Sequence, residues 1–150
     1  MDYRIEKEEL TIYGYKLDVA DHEAFIKIHA FYNQMMKELQ SAPLGDVGTL
    51  AVTINDEKDF NLTHYYVAGR TLQSDLESYH FDSSLWVKFP CHGAYPYGLQ
   101  SLAYDVYNTW FSEHSEYTLA CDASIDYLPE GDNNSQDYYC ELWLPIVKKN

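Results

Sequence analysis

Basic residues are scarce in this chain: ten lysines and arginines stand against 24 aspartates and glutamates, a formal net charge of -14. A phosphate backbone is repelled by such a surface, and no Lys/Arg cluster offsets the field, so direct DNA or RNA binding is not expected. Long apolar runs are missing as well. No stretch is long enough to span a bilayer as a helix, and Met1-Asp2-Tyr3-Arg4-Ile5-Glu6-Lys7-Glu8-Glu9 is too charged for a secretory leader. Cysteine is limited to Cys91, Cys121 and Cys140, an odd number without metal-type spacing. Free thiols in a reducing, cytoplasmic compartment account for that usage. The six histidines are scattered, and His22-Glu23-Ala24-Phe25-Ile26 starts like a zinc-binding helix but lacks its second histidine. A glycine-rich phosphate loop, a nucleophile elbow and a calcium loop are all absent. Neither a metal nor a cofactor is expected.

Aromatic residues, in contrast, are plentiful: fifteen tyrosines, six phenylalanines and three tryptophans, more than packing a core of this size usually takes. Rings give wide contact area at low entropic cost, so some of them are expected to line a cavity. A length of 150 residues with 46% hydrophobic content suits one globular domain covering 1-150.

Two segments carry helical periodicity. The first is capped by Asp21 and runs to about Ser41, with Phe25, Ile28, Tyr32, Met35 and Leu39 on one stripe and Pro43 and Gly45 beyond it. The second follows Gly93-Ala94-Tyr95-Pro96 and carries Leu99, Leu102, Ala103, Val106 and Trp110. Strands are expected at Tyr3–Glu6, Leu10–Val19, Thr49–Ile54, Leu62–Leu72, Leu85–Phe89, Ala123–Leu128 and Tyr138–Val147. The order strand, helix, strand, strand occurs twice, over about 1-75 and 80-150. Tyr65-Tyr66-Val67-Ala68-Gly69 can be laid over Tyr138-Tyr139-Cys140-Glu141-Leu142. This weak internal repeat predicts an α+β domain with pseudo-two-fold symmetry.

Alternation along the last strand separates its side chains. Cys140, Leu142 and Leu144 suit a face covered by the helices, and Tyr139, Glu141 and Trp143 point to the other. Desolvation by the flanking rings would raise the Glu141 pKa, whereas a bound cation would favour its charged form. The repeat places Tyr66 and Ala68 on the equivalent face, and the small alanine leaves room there. Tyr13, Tyr15, Trp86 and Tyr127 are further wall candidates whose facing the sequence does not determine.

Phe89-Pro90-Cys91-His92-Gly93-Ala94-Tyr95-Pro96, the helix ending Tyr107-Asn108-Thr109-Trp110-Phe111 and the closing Tyr139-Cys140-Glu141-Leu142-Trp143-Leu144-Pro145-Ile146 resemble the GyrI-like small-molecule-binding family. Tyr66-Val67-Ala68-Gly69 extends the likeness more weakly into the first half. The resemblance implies one curved antiparallel sheet with two helices on one face and a ligand cleft on the concave side. It also implies that the glutamate matching Glu141 sits at the cleft centre and pairs with lipophilic cations. Members of the family serve as effector domains of multidrug-responsive activators, as stand-alone proteins, as a gyrase inhibitor and as hydrolases of cyclopropane-bearing toxins. The leading expectation is a stand-alone binder of lipophilic cationic aromatic compounds, with no helix-turn-helix domain before Tyr3. One alternative is a hydrolase using Glu141 as general acid or base with Tyr66 as proton partner. Another is a protein-partner role resting on the acidic surface.

Overall fold

The structure is a computed structural model describing residues 1–39 and 48–150. Its elements are β1 (Arg4–Ala20), α1 (Ala24–Leu39), β2 (Thr49–Asn55), β3 (Leu62–Gly69), β4 (Glu77–His92), α2 (Tyr97–Asp105), β5 (Tyr117–Leu119), β6 (Ala123–Leu128) and β7 (Tyr139–Lys148). After α2 the helical path widens to π-type over Val106–Trp110 and finishes in a short turn, Phe111–Glu113. The expected end of the first helix near Ser41, with Pro43 and Gly45, lies outside the described residues.

Among the described residues, seven strands form one antiparallel sheet in the order β4-β1-β3-β2-β6-β7-β5. The sheet curls until β4 also pairs with β7, so six strands close into a ring. The two halves match: β1-β3-β2 in the first corresponds to β4-β7-β6 in the second, joined through β1–β4 and β2–β6.

Alternation then sorts the side chains into two apolar layers. Inside the ring, Leu10, Ile12, Val52, Tyr66, Ala68, Phe81, Trp86, Ile125 and Trp143 belong to one buried cluster. Outside it, Val67, Val87, Phe89, Cys140, Leu142 and Leu144 pack with Tyr32 and Met35 of α1 and with Leu99, Val106 and Trp110 of the second helical path. Trp110 stands at the edge of Phe89 and Tyr3 and stacks on His114 with 4.4 Å between ring centroids. On α1, Phe25 departs from the expected stripe and is 73% exposed.

Three local features explain how the strands accept this curvature. A β-bulge between Glu8 and Leu10 shifts the β1–β4 register, which is why the two expected strands over 3–19 form one long one. Gly14 lies opposite Ala68, and a Cβ there would stand 2.2 Å from the Val67 carbonyl oxygen. Pro90 sits near the C-terminal end of β4, opposite Glu141. The Gly93 N–H donates to the Tyr138 carbonyl at 2.8 Å, so alternation along that ladder puts Pro90 at a non-hydrogen-bonded position, where its missing N–H costs nothing toward β7.

Some local expectations are corrected. Asp21 does not cap α1; it opens a short 3-10 turn, and its carboxylate accepts the Thr63 hydroxyl at 2.6 Å. That bond ties the helix entry to β3 instead of satisfying the helix N–H groups. The strand expected to reach Leu72 ends at Gly69, while β4 begins at Glu77, eight residues before the expected Leu85. Its polar first half, Glu77-Ser78-Tyr79-His80-Phe81-Asp82, is held by pairing to β1. The three-residue β5 has too little pattern to be seen in advance.

Gly14→Ala is expected to destabilise the fold by about 2 kcal/mol, because backbone of β3 must move to admit the methyl group. Urea unfolding of both proteins measures this; equal midpoints would show that β1 and β3 can separate freely at this crossing.

Candidate functional site

Two carboxylates lie on opposite faces of the sheet, in different surroundings. Glu141 faces into the ring and is 4% exposed. Its carboxylate accepts two hydrogen bonds from the Arg4 guanidinium, at 2.9 and 3.1 Å, one from the Trp143 indole at 2.7 Å and a short one from the Tyr139 hydroxyl. Burial by itself would push the Glu141 pKa up, as the flanking rings suggested. The donors on Arg4, Tyr139 and Trp143 outweigh it and hold the group below the usual carboxylate range.

More of the chain's own cations surround this group. Lys88, also 4% exposed, pairs with Glu8 and places its ammonium 3.9 Å from the centre of the Trp143 ring. Arg70 approaches the same ring at 5.3 Å. Tyr127 stacks on Trp143 at 5.1 Å.

The expected site residues divide as follows. Tyr139, Trp143 and Tyr127 join Glu141. Tyr66, Ala68 and Trp86 share the ring-side face, but Trp86 and Ala68 are fully buried in its apolar packing. The room expected beside Ala68 is taken up by the close approach of β1 at Gly14. Tyr66 lies beside Lys16 and Tyr79, and the hydroxyl that reaches Glu141 is that of Tyr139. Tyr13 and Tyr15 pair with Gly69 and Val67 on β3, which puts them on the opposite face with Leu17. Sequence reading missed Arg4 and Lys88; their opposite register on β1 and β4, Arg4 against Lys88, follows only from a pairing between the two halves.

Two cavities open on the helix side. A cavity of about 320 Å³ between the helices and the sheet is lined by Phe25, Tyr65, Tyr95, Leu99, Tyr107 and Asp126, among others. A second, of about 440 Å³, shares Tyr65 and Tyr95 and continues past Tyr32, Met36 and Asn133. Asp126 reaches this space because Ile125 pairs with Trp143 and Tyr127 with Glu141, so the residue between them must point outward.

Among the described residues the Asp126 carboxylate has one hydrogen-bond donor, the Tyr95 hydroxyl at 2.7 Å. Burial pushes its pKa up to about 6, against the opposing pull of Tyr95. Tyr65 and Tyr95 are pushed well above their ordinary values by burial too, so their hydroxyls stay protonated and able to donate. The result is a carboxylate with little compensation, set in a ring-lined cavity. The sequence carries no signal for Asp126: it alternates with Ser124, away from Ala123, Ile125 and Tyr127, and so reads as an ordinary solvated strand residue.

The sequence pattern of the GyrI-like small molecule binding domain matches residues 1–147. The chain belongs to this family. The GyrI-like chain is also similar in fold to SAV2435 bound to tetraphenylphosphonium, with a TM-score of 0.84 and 22% identity over 98% of this chain and 94% of that one. A proposed bacterial transcription regulation protein from Staphylococcus aureus MU50 gives a TM-score of 0.83 and 23% identity, covering 97% and 98%. The C-terminal domain of EcmrR gives 0.63 and 17%, covering 99% and 98%. A comparison with curated proteins finds no match. Among the described residues of this GyrI-like chain, no helix is long and apolar enough to cross a membrane, and no group of three or more His, Cys, Asp or Glu could hold a metal ion.

The ring-side network has a consequence for stability. Bonded to Arg4, the glutamate has its folded pKa lowered, so its contribution is present above the ordinary carboxylate pKa and is lost as pH falls through the lowered value. Glu141→Gln is therefore expected to cost about 1–2 kcal/mol at pH 7, discounted because Arg4 is half exposed, and clearly less at pH 3. Denaturant unfolding at the two pH values checks both the sign and the trend.

Proposed function

We propose that this protein binds lipophilic cations in the cavity between the helices and the sheet, with Asp126 as the counter-charge. The observation that carries the reading is the raised, singly hydrogen-bonded carboxylate of Asp126 inside an aromatic cavity. A delocalised cation loses little hydration on entering such a space, gains face contacts with the rings and restores the charge balance of the carboxylate. The bound tetraphenylphosphonium in the similarly folded SAV2435 supports that ligand class. The exposed rings of Phe25 and Tyr107 stand along the same cavity, where an arriving aromatic ligand would meet them.

A second reading assigns the ligand to Glu141 and rests on Lys88 over Trp143 and Arg4 on Glu141, which show the ring-side aromatics already receiving cations. There a ligand would have to displace Arg4 from a carboxylate that has four donors. At Asp126 no such exchange is required among the described residues.

Tetraphenylphosphonium titration of the wild type, Asp126→Asn and Glu141→Gln separates the two. Asp126→Asn is expected to weaken binding about tenfold or more, and Glu141→Gln much less. The reverse order would move the site into the ring, and no binding by the wild type would overturn the reading. A pH series adds an independent check. The folded pKa of Asp126 lies above its unfolded value, so the ionised group costs stability increasingly from about pH 4 to 6 and fully above 6. Cation affinity is expected to run the other way, level above pH 6 and falling below it. Asp126→Asn is expected to flatten that dependence and raise stability at pH 8.

A further inference from the structure

Cys91 on β4 and Cys140 on β7 are direct partners in the register that closes the ring. Alternation puts both on the outer face, where Cys140 is fully buried and Cys91 half-buried, and the two thiols are within hydrogen-bonding reach of each other. The Gly93–Tyr138 bond fixes their rung as a hydrogen-bonded one, since it lies two residues further along the same ladder. Cα atoms on such a rung are about 5.5 Å apart, inside the span that a disulfide bridges. Their Cβ atoms must draw in by about 1 Å, so the bond would carry strain and be easily reduced.

We propose that Cys91 and Cys140 form a reversible dithiol–disulfide site, oxidised by hydrogen peroxide and reduced by small thiols. In the oxidation, Cys91 gives up its proton and its sulfur attacks one peroxide oxygen. The O–O bond breaks, hydroxide leaves and takes up that proton as water, and Cys91 is left as a sulfenic acid. The Cys140 sulfur then attacks the Cys91 sulfur. The S–O bond breaks, and the departing oxygen takes the Cys140 proton to leave as a second water. The two thiols lose two electrons, and the peroxide gains them.

Cys91 is the thiol that reacts first: it is the more accessible, and although burial raises both thiols, it pushes Cys140 up to about 12. The pair also has a defined neighbour. Gly98, in the first turn of α2, approaches Cys91 so closely that a Cβ there would stand 3.3 Å from the sulfur. Pro96, Leu99 and Ala103 around the same turn line the Asp126 cavity, as does Leu142, two residues from Cys140. Bridging therefore draws together the two strands that underlie this wall. Cys121 packs against the ring-side cluster, on the other layer, and takes no part.

The full chain is treated with hydrogen peroxide, blocked with an alkylating agent, digested without reduction and analysed by mass spectrometry. The expected product is a Cys91–Cys140 linked peptide pair, lighter by two hydrogens than its parts, with Cys121 alkylated, and dithiothreitol restores both thiols. Cys121→Ser is expected to leave the yield of linked peptide unchanged, and Cys91→Ser to abolish it. Sulfinic or sulfonic acid at Cys91 in place of the link, or links that run through Cys121, would overturn the proposal. A link that dithiothreitol does not reverse under native conditions would overturn its reversibility.

Discussion

The pairing of β4 with β7 is the contact on which the rest of the molecule depends. Without it, seven strands form an open curved sheet with one covered face. With it, the apolar residues of the concave face pack on one another, Trp86 and Trp143 among them, and the helices are left with the outside only. The register of that pairing also decides the chemistry. It sets Pro90 against Glu141, where proline is harmless, and Cys91 against Cys140, where two thiols meet. A slip by one residue would exchange the faces and bury neither set.

The closed ring gives its two carboxylates opposite fates. Glu141 is buried on the side where β1 brings Arg4, and the two make a fully donated ion pair that favours charge. Asp126 is carried by the neighbouring strand, one position out of phase, and meets a tyrosine hydroxyl and apolar walls that favour the neutral acid. Desolvation acts on both. What differs is how many donors accompany it: four hydrogen bonds reach Glu141, and one, among the described residues, reaches Asp126. The chain's acidity is thus of two kinds: charge spread over the surface, and carboxylates set within the fold in contrasting company.

Much of this was legible in the sequence. Alternation along Tyr139-Cys140-Glu141-Leu142-Trp143 assigned the faces of β7 correctly, and the short repeat assigned the same facing to Tyr66 and Ala68. Helical periodicity located Leu99, Val106 and Trp110 beneath the second helical path, the order of elements led to the α+β class, and the resemblance of the motifs around Pro90 and Glu141 led to the family. Contacts between the halves were not legible. The position of Arg4 on Glu141 needs the β1–β4 register, the outward facing of Asp126 needs the β6–β7 register, and the facing of Tyr13 and Tyr15, left open by the sequence, needs the β1–β3 register. Each is a long-range pairing whose phase a single strand does not carry. The cavity was missed for the same reason, because its walls come from α1, β3, α2 and β6 together.

The three tryptophans are distributed so that the molecule carries its own optical gauge of the two layers. Trp86 and Trp143 lie within the ring, in the dry cluster and against Lys88, while Trp110 lies outside it, stacked on the His114 imidazole. The outer indole thus meets an imidazole face, and the inner pair meets other rings and an ammonium. Emission lifetimes therefore sort into an inner and an outer population without any label. Whether the two layers dissolve together or in sequence on unfolding becomes a question the light itself answers.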